Sequence, residues 1–335
     1  MKITIKDVAK LAGVSPSTVS RVISDSSRIS DETKRNVRSV MEELGYYPNA
    51  IARSLVSKST NTIGIVMPQS AERSLLNPFF PVVLSGISAA AHEKDYCIVL
   101  STGNTEKEQM ESIKEIVTSG RVDGVIIMYS SMDNVILESM KKFKMPVIII
   151  GKPLQTDGIL YVDNDNVAAA YEVTKELIDR GHKDIALVSG HFGYVVSLDR
   201  LDGYRAALVD NNIGINRKLI IECEFNKEDG YRGMKEMLDK GVRPTAVVVT
   251  DDIMALGVME AIKEQGMRIP EEIEIISFNN IPFADLCNPG LTSVDVNAYT
   301  LGYEASKLII EKIKSEDDKG RVIVPTRIFY RGTTR

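Results

Sequence analysis

The 335-residue chain has only three cysteines, Cys97, Cys223 and Cys287. They are far apart and odd in number, and no CxxC pair occurs. That excludes a zinc ribbon and a disulfide framework, and the expectation is three reduced, mostly buried thiols. Histidine is equally scarce, and His92, His182 and His191 lack metal-ligand spacing. His182, in RGHKDIA, is expected to pack or hydrogen-bond at a strand entry. No GxSxG elbow, P-loop or GxGxxG is present, so the usual nucleophile, phosphate and dinucleotide devices are missing. Asp251 and Asp252 are paired carboxylates, but adjacent residues at a helix start are weak evidence for acid–base work. An enzyme is therefore not expected. No apolar run reaches the roughly 18 residues that suggest a membrane helix. The start, MKITIKDVAK, has no signal-peptide core, so a cytoplasmic location is expected.

What is present is the composition of a globular protein, 44% hydrophobic and 26% charged, in a chain long enough for two or three domains. The net charge of −5 hides an asymmetry. Residues 1–60 carry 10 Lys+Arg against 6 Asp+Glu, and the rest carry 31 against 40. A mildly basic head on an acidic body suggests that only the head meets a polyanion.

The head reads as three short helices. Thr4 and Asp7 form a capping-box-like start, with Val8, Leu11 and Ala12 as the apolar stripe. Gly13 breaks the helix, and Ser15-Pro16 restarts it with a cap and a proline where the missing N–H costs nothing. Val19, Val22 and Ile23 continue the apolar face. Ser30 caps a third helix, with Asp31 and Glu32 in its first turn, Val37, Val40, Met41 and Leu44 on its face, and Gly45 at its end. Two short helices joined by a tight turn are a helix-turn-helix. The outer face of the second carries Pro16, Ser17, Thr18, Ser20 and Arg21. Small residues allow close approach to base edges, and Arg can bridge guanine O6 and N7. After Pro48, NAIARSLV has helical spacing at Ile51 and Leu55, yet it is too short to be stable alone.

From Thr62 the pattern changes. TIGIVM, YCIVLS, GVIIMY and PVIII read as buried parallel strands alternating with amphipathic helices. After VDNDN the alternation restarts with DIALVSG, LIIECEF, TAVVVT and IEIISF. The expected fold class is α/β, a two-lobed doubly wound body behind an all-α head.

TIKDVAKLAGVSPSTVSRVI and ELGYYPNAIARSL together resemble the LacI/GalR family of bacterial transcription regulators. TIGIVMP, NPFF, RVDGVII, RGHKDIALVSG, RLDGYRAAL, RPTAVVVTDDIMALG and LTSVDVNAYTLG extend the likeness through nearly the whole chain. The resemblance implies a DNA-binding head over residues 1–47 and a hinge helix and linker over 48–60. It implies a body of the periplasmic-binding-protein type I fold. Its chain crosses between lobes near 161, 291 and 324, giving lobes of 61–161 plus 292–323 and 162–291 plus 324–335. In this family the hinge helices pair on operator DNA and a leucine, here Leu55, wedges into a central base step. The candidate DNA-contacting residues are thus Thr4, Ser15, Pro16, Ser17, Thr18, Ser20, Arg21, Asn49, Ala52, Arg53 and Leu55.

The resemblance also places an effector in the cleft at the strand ends. Candidates are Phe79 and Phe80, one expected in the core and one in the pocket, with Lys152, Arg200, Phe225, Asp251 and Asn279. Arg200 matches the family's effector-binding arginine, Asp251 its polar contact, and Phe225 an aromatic that stacks on a sugar ring. Many relatives have Asp where Asn279 stands, and an aspartate-containing triplet in place of Gly151-Lys152-Pro153. With fewer carboxylates the pocket suits a neutral carbohydrate. GKP, VDNDN and SFNN are similar to the maltose-responsive repressors of Gram-positive bacteria. The expectation is a homodimeric repressor of carbohydrate-utilisation genes on a palindromic operator, with maltose or a maltodextrin as inducer and no cofactor or metal. The final RGTTR carries no apolar heptad tail of the kind that builds family tetramers. The alternatives are a regulator answering to another sugar or a protein corepressor, including dual activation and repression. A pure sugar receptor and an effector-free architectural DNA-binding protein are disfavoured by the head and by the cleft body, respectively.

Overall fold

The computed structural model describes residues 3–47, 59–68, 71–101, 106–132, 135–156, 158–315 and 320–335. It divides into two compact units, Met1–Thr60 and Asn61–Arg335.

In the first unit the local signals in the sequence decide the elements. Helix α1 spans Ile5–Leu11, α2 Pro16–Ile23 and α3 Asp31–Glu43. The Asp7 carboxylate accepts from both the N–H and the hydroxyl of Thr4, at 2.9 and 2.7 Å. Gly13 turns the chain at φ +66°, a conformation without penalty only for glycine. Ser15 Oγ accepts from the N–H of Thr18 at 3.1 Å and Ser30 Oγ from that of Thr33 at 3.3 Å, satisfying first-turn donors. Val8, Ala9, Ala12, Val19, Val22, Val37 and Val40 form the core. Leu11, expected in the stripe, is 53% exposed, and Ala9 is buried instead. Leu11 lies at the flank of a two-turn helix that its neighbours cover on one side only.

The second unit holds two six-stranded sheets of the same topology. One runs β11-β5-β4-β3-β1-β2 and the other β12-β10-β9-β8-β6-β7. The strands of the first are β1 (Thr62–Val66), β2 (Cys97–Leu100), β3 (Gly124–Ile127), β4 (Val147–Ile150), β5 (Leu160–Asp163) and β11 (Arg321–Ile323). Those of the second are β6 (Ile185–Gly190), β7 (Ile220–Cys223), β8 (Ala246–Val249), β9 (Glu274–Phe278), β10 (Thr292–Asp295) and β12 (Arg327–Phe329). All pairings are parallel except β10 with β12. The central strands GVII, VIII and AVVV are apolar without alternation because helices cover both faces.

Two of the expected lobe crossings shift. β5 pairs with β4, so the first crossing follows Asp163 rather than preceding Val162. β10 pairs with β9 and β12, so residues 292–295 belong to the second lobe and the second crossing lies after them. LYVD and TSVD are each four residues long and carry polar residues, which hides their strand character. The third passage lies between β11 and β12. Asn164 gathers all three: its Nδ2 donates to the carbonyls of Val296 and Val324 at 3.1 and 2.8 Å.

Glycines set how closely the flanking helices approach. A Cβ on Gly86 would lie 2.0 Å from the carbonyl oxygen of Tyr299, and one on Gly302 at 2.0 Å from that of Val83. Helices Phe79–His92 and Ala298–Lys314 therefore touch backbone to backbone. The thiols are less buried than expected: Cys97 is exposed, and Cys223 and Cys287 are partly buried. Cys97 opens β2, a strand at the edge of its sheet. His182 precedes β6, its Nδ1 3.0 Å from Thr245 Oγ1. No helix among the described residues is long and apolar enough to cross a membrane.

Candidate functional sites

In the head, Pro16, Ser17 and Arg21 are exposed on α2, and Thr18 and Ser20 are partly so. Ser15 and Thr4 are exposed at the helix starts, where their hydroxyls already serve the caps. Val19 and Val22 face the core from the same helix, so the two faces of α2 separate cleanly. On α3, Lys34 and Arg38 both pair with Asp25, at 3.0 and 2.7 Å. Asn36 Nδ2 donates to the carbonyl of Ala12 at 3.1 Å and ties α3 to the end of α1. Asn49, Ala52, Arg53 and Leu55 lie outside the described residues.

The body has its cleft at the carboxyl ends of the strands, where each sheet reverses its strand order. Phe79, Phe80, Arg200, Phe225, Asp251 and Asn279 all line it. Both phenylalanines do so, with ring centroids 5.2 Å apart in an edge-on pair, and both also pack on the main core. The division into one core and one pocket residue fails because this helix starts at the cleft rim, where Phe79 and Phe80 both reach the opening. Phe225 meets Tyr194 at 6.0 Å, and Tyr194 meets Tyr129 at 6.1 Å, which extends an aromatic wall across both lobes. Phe225 sits directly over Gly190, where any Cβ would overlap its ring.

Arg200 is 5% exposed. Its Nε donates to Asn166 Oδ1 at 3.0 Å, an Nη donates to the carbonyl of Thr250, and its guanidinium lies 4.2 Å over the ring of Phe278. Burial pulls its pKa down to about 10, against the attraction of Asp251 and Asp163, so it remains a cation at neutral pH. Asp251 caps the helix Asp252–Glu264 through the N–H of Ile253. Its Oδ2 accepts from Asn77 at 2.9 Å and from Asn279 at 2.8 Å. Asn77 belongs to the first lobe and Asp251 to the second, so this bond spans the cleft. So do the contacts of Val195 N with the Ser130 carbonyl, 3.0 Å, and of Met132 N with that of Gly193, 2.8 Å. Burial also raises Asp251, and it raises Asp163 to about 6.

Lys152 is the one effector candidate that the structure does not bring to the cleft wall. It is exposed and not part of the cleft wall. Its backbone N–H donates to Asp163 Oδ2 at 2.8 Å, so the triplet reaches the site through its main chain, with Gly151 on the wall. Sequence reasoning also missed Asn77, Asp163, Asn164, Asn166, Tyr129 and Tyr194. The first four lie inside the NPFF and VDNDN motifs, whose individual side chains were not weighed. Tyr129 and Tyr194 sit in loops with no local signal. Among the described residues no group of His, Cys, Asp and Glu is arranged to hold a metal ion.

A capped helix-turn-helix with a polar outer face, joined in one chain to a cleft of this kind, is decided by direct comparison. Residues 4–49 match the family described as bacterial regulatory proteins, lacI family, and residues 60–333 match that of periplasmic binding proteins and the sugar binding domain of the LacI family. The chain belongs to the LacI family of transcription regulators. Members of the LacI family regulate transcription and are not enzymes. The chain is 39% identical over 326 residues, 96% of each protein, to the HTH-type transcriptional regulator MalR of Streptococcus pneumoniae serotype 4. It resembles the lac repressor dimer bound to operator and the anti-inducer ONPF, with TM-score 0.88 and 26% identity over 100% of this chain and 99% of that one. It also resembles a transcriptional regulator CelR–cellobiose complex, with TM-score 0.78 and 29% identity over 99% of both chains.

Proposed function

We propose that this LacI-family regulator represses carbohydrate-utilisation genes from the cytoplasm, binds a palindromic operator as a homodimer, and is induced by maltose or a related maltodextrin. The observation that carries the sugar is the chemistry of the cleft. Flat aromatic walls from Phe79, Phe80, Tyr129, Tyr194 and Phe225 suit the apolar faces of pyranose rings. The polar groups include four neutral amides, Asn77, Asn164, Asn166 and Asn279, around one buried cation, Arg200, and two carboxylates, Asp163 and Asp251. Hydroxyls can donate to Asp251 and accept from Arg200 and the amides. The full-length similarity to a protein named MalR supports the choice of maltose.

On this reading the sugar changes how the lobes meet, and the hinge segments convert that into operator affinity. A coupling of about 1–3 kcal/mol corresponds to roughly 5–150-fold. The DNA-contacting set is the exposed face of α2 with Thr4, Ser15 and the hinge residues Asn49, Ala52, Arg53 and Leu55. A second reading, cellobiose as effector, is favoured by the likeness to the CelR–cellobiose complex. The test is fluorescence anisotropy on a palindrome upstream of the gene, titrated with maltose and then cellobiose. Release by maltose alone supports the proposal, release by cellobiose alone replaces the sugar, and binding that ignores both removes the disaccharide assignment. Leu55→Ala binding as tightly as wild type, with the same DNA bend, would remove the lever assignment.

A further inference from the structure

Behind the cleft wall lies a buried carboxylate with no part in the site described above. Asp252, 0% exposed, follows Asp251 at the start of the helix Asp252–Glu264 but meets a different set of partners. Its Oδ2 accepts from the backbone N–H of Ile281 at 2.8 Å. Its Oδ1 accepts from the hydroxyl of Ser293 at 2.7 Å and from that of Ser277. Ser293 Oγ in turn accepts from the N–H of Asn280 at 2.9 Å. Two successive amides of the turn are thus tied to one carboxylate, one directly and one through a serine. The N–H of Asn279 pairs with the carbonyl of Val294 at 2.8 Å.

The turn needs such restraint. Asn279 has φ +101° and Asn280 φ +47°, both in the region that side-chain-bearing residues enter rarely. Strained backbone persists only where its surroundings over-determine it. Arg331 adds a bond to Asn280 Oδ1 at 2.7 Å, closing the frame from the C-terminal segment.

We propose that Asp252 is a positioning residue of the effector cleft, its carboxylate clamping the backbone of the Asn279–Ile281 turn so that the Asn279 side chain meets Asp251 at the cleft wall. The two carboxylates at this helix start divide the work: Asp251 holds the side chain of Asn279, and Asp252 holds the main chain that carries it. The inference rests on the reading of the cleft as the effector site. Three donors converge on Asp252, so the acceptor-only ionised form is the one that fits.

Burial pushes the Asp252 carboxyl up to about 7, against hydrogen bonds from Ser277, Ile281 and Ser293. The charged and titratable groups around it are Asp251 on the same helix, Arg200 from the helix Val195–Asp210, Cys287 from the loop that follows the turn, and Arg331 through Asn280. Arg200, at about 10, keeps its charge near neutral pH. Protonation of Asp252 turns an acceptor into a donor facing donors, so the turn loosens as pH falls below about 7.

Hydrogen–deuterium exchange of the full-length protein tests the clamp without any ligand. Peptides spanning 279–281 are expected to exchange about tenfold faster in Ser293→Ala and Asp252→Asn, the loss of a buried bond to a charged acceptor. Ser277→Ala is the control, since Ser277 also donates to Asp252 but binds no amide of the turn. Wild-type protection of those amides in both Ser293→Ala and Asp252→Asn overturns the proposal. Calorimetric titration with maltose from pH 8 to pH 6 is the second readout. Wild-type affinity is expected to fall about tenfold, one pH unit below the pKa, while Asp252→Asn is weak and changes much less over the range, Asp163 at about 6 accounting for the remainder. Wild-type affinity and pH dependence in Asp252→Asn also overturns it. If wild type binds no maltose at any pH, the sugar assignment falls, and the exchange result alone decides the role of Asp252.

Discussion

The head and the body hold their functional residues in opposite ways. In the head the polar groups are exposed and bonded to near neighbours: Ser15 to Thr18, Ser30 to Thr33, Thr4 to Asp7, each three residues away. In the body they are buried and bonded far along the chain: Arg200 to Thr250, Asn77 to Asp251, Asn164 to Val324. Polar groups on an exposed helix face stay in reach of solvent, and local caps suffice to shape them. Those buried around a cleft lose their water and need protein partners instead, and distant segments supply them.

The sharpest way to break this comparison is Arg200→Ala. It removes a buried cation from among Asp251, Asp163 and Asp252 and leaves Asn166 and the Thr250 carbonyl without their donor. A loss of about 3–5 kcal/mol in the body's stability is expected, with sugar binding abolished, read by thermal denaturation and calorimetry. A variant as stable as wild type would mean that the buried network does not hold the lobe.

Acidity should separate the two units in sign. Asp163 has a folded pKa of about 6, above its ordinary value of 3.8, because it is buried. Between these values the native body binds the proton more tightly than the unfolded chain, so this group makes the body more stable as pH falls from about 6 to about 4. Asp7 and Asp25 in the head are held below 3.8, Asp7 by hydrogen bonds from Thr4 and Asp25 by Lys34. Their contribution is present above that value and lost as pH falls through their folded pKa values. Thermal melts of full-length protein between pH 7 and pH 3 should show the two trends, and Asp163→Asn should make that of the body shallower, with Asp251 and Asp252, also raised by burial, supplying the rest.

Smaller changes sharpen the contrast within the head. Val22→Ala empties part of a core of seven buried residues and should cost about 2 kcal/mol. Operator affinity should fall while sugar affinity stays at its wild-type value, measured on the same preparation. Ser15→Ala removes one cap, about 1 kcal/mol, and should move the head's melting by a few degrees and sugar binding not at all.

The same contrast explains what could be read from the residues in order. Caps, a turn glycine and apolar spacing act within one or two helical turns, so α1, α2 and α3 were legible, Leu11 apart. Continuous apolar runs revealed the central strands of both sheets. LYVD and TSVD were not legible as strands, because their pairing with β4 and β9 is a property of the sheet. Phe79, Phe80, Arg200, Phe225, Asp251 and Asn279 were placed on the cleft by resemblance, and the fold does bring them together. Lys152 was placed there by its triplet, yet its side chain turns to solvent while its amide serves Asp163.

By itself the amino-acid order determined the helix-turn-helix, the alternation of strands and helices and the family, since those depend on local propensity and on patterns repeated over few residues. Only the tertiary structure decided which donor reaches which acceptor: Asn77 across the lobes to Asp251, Asn164 to both other crossings, Ser293 and Ile281 to Asp252. Those bonds join residues from 29 to 174 positions apart. No spacing rule reaches that far, because such groups meet only after the sheets have formed.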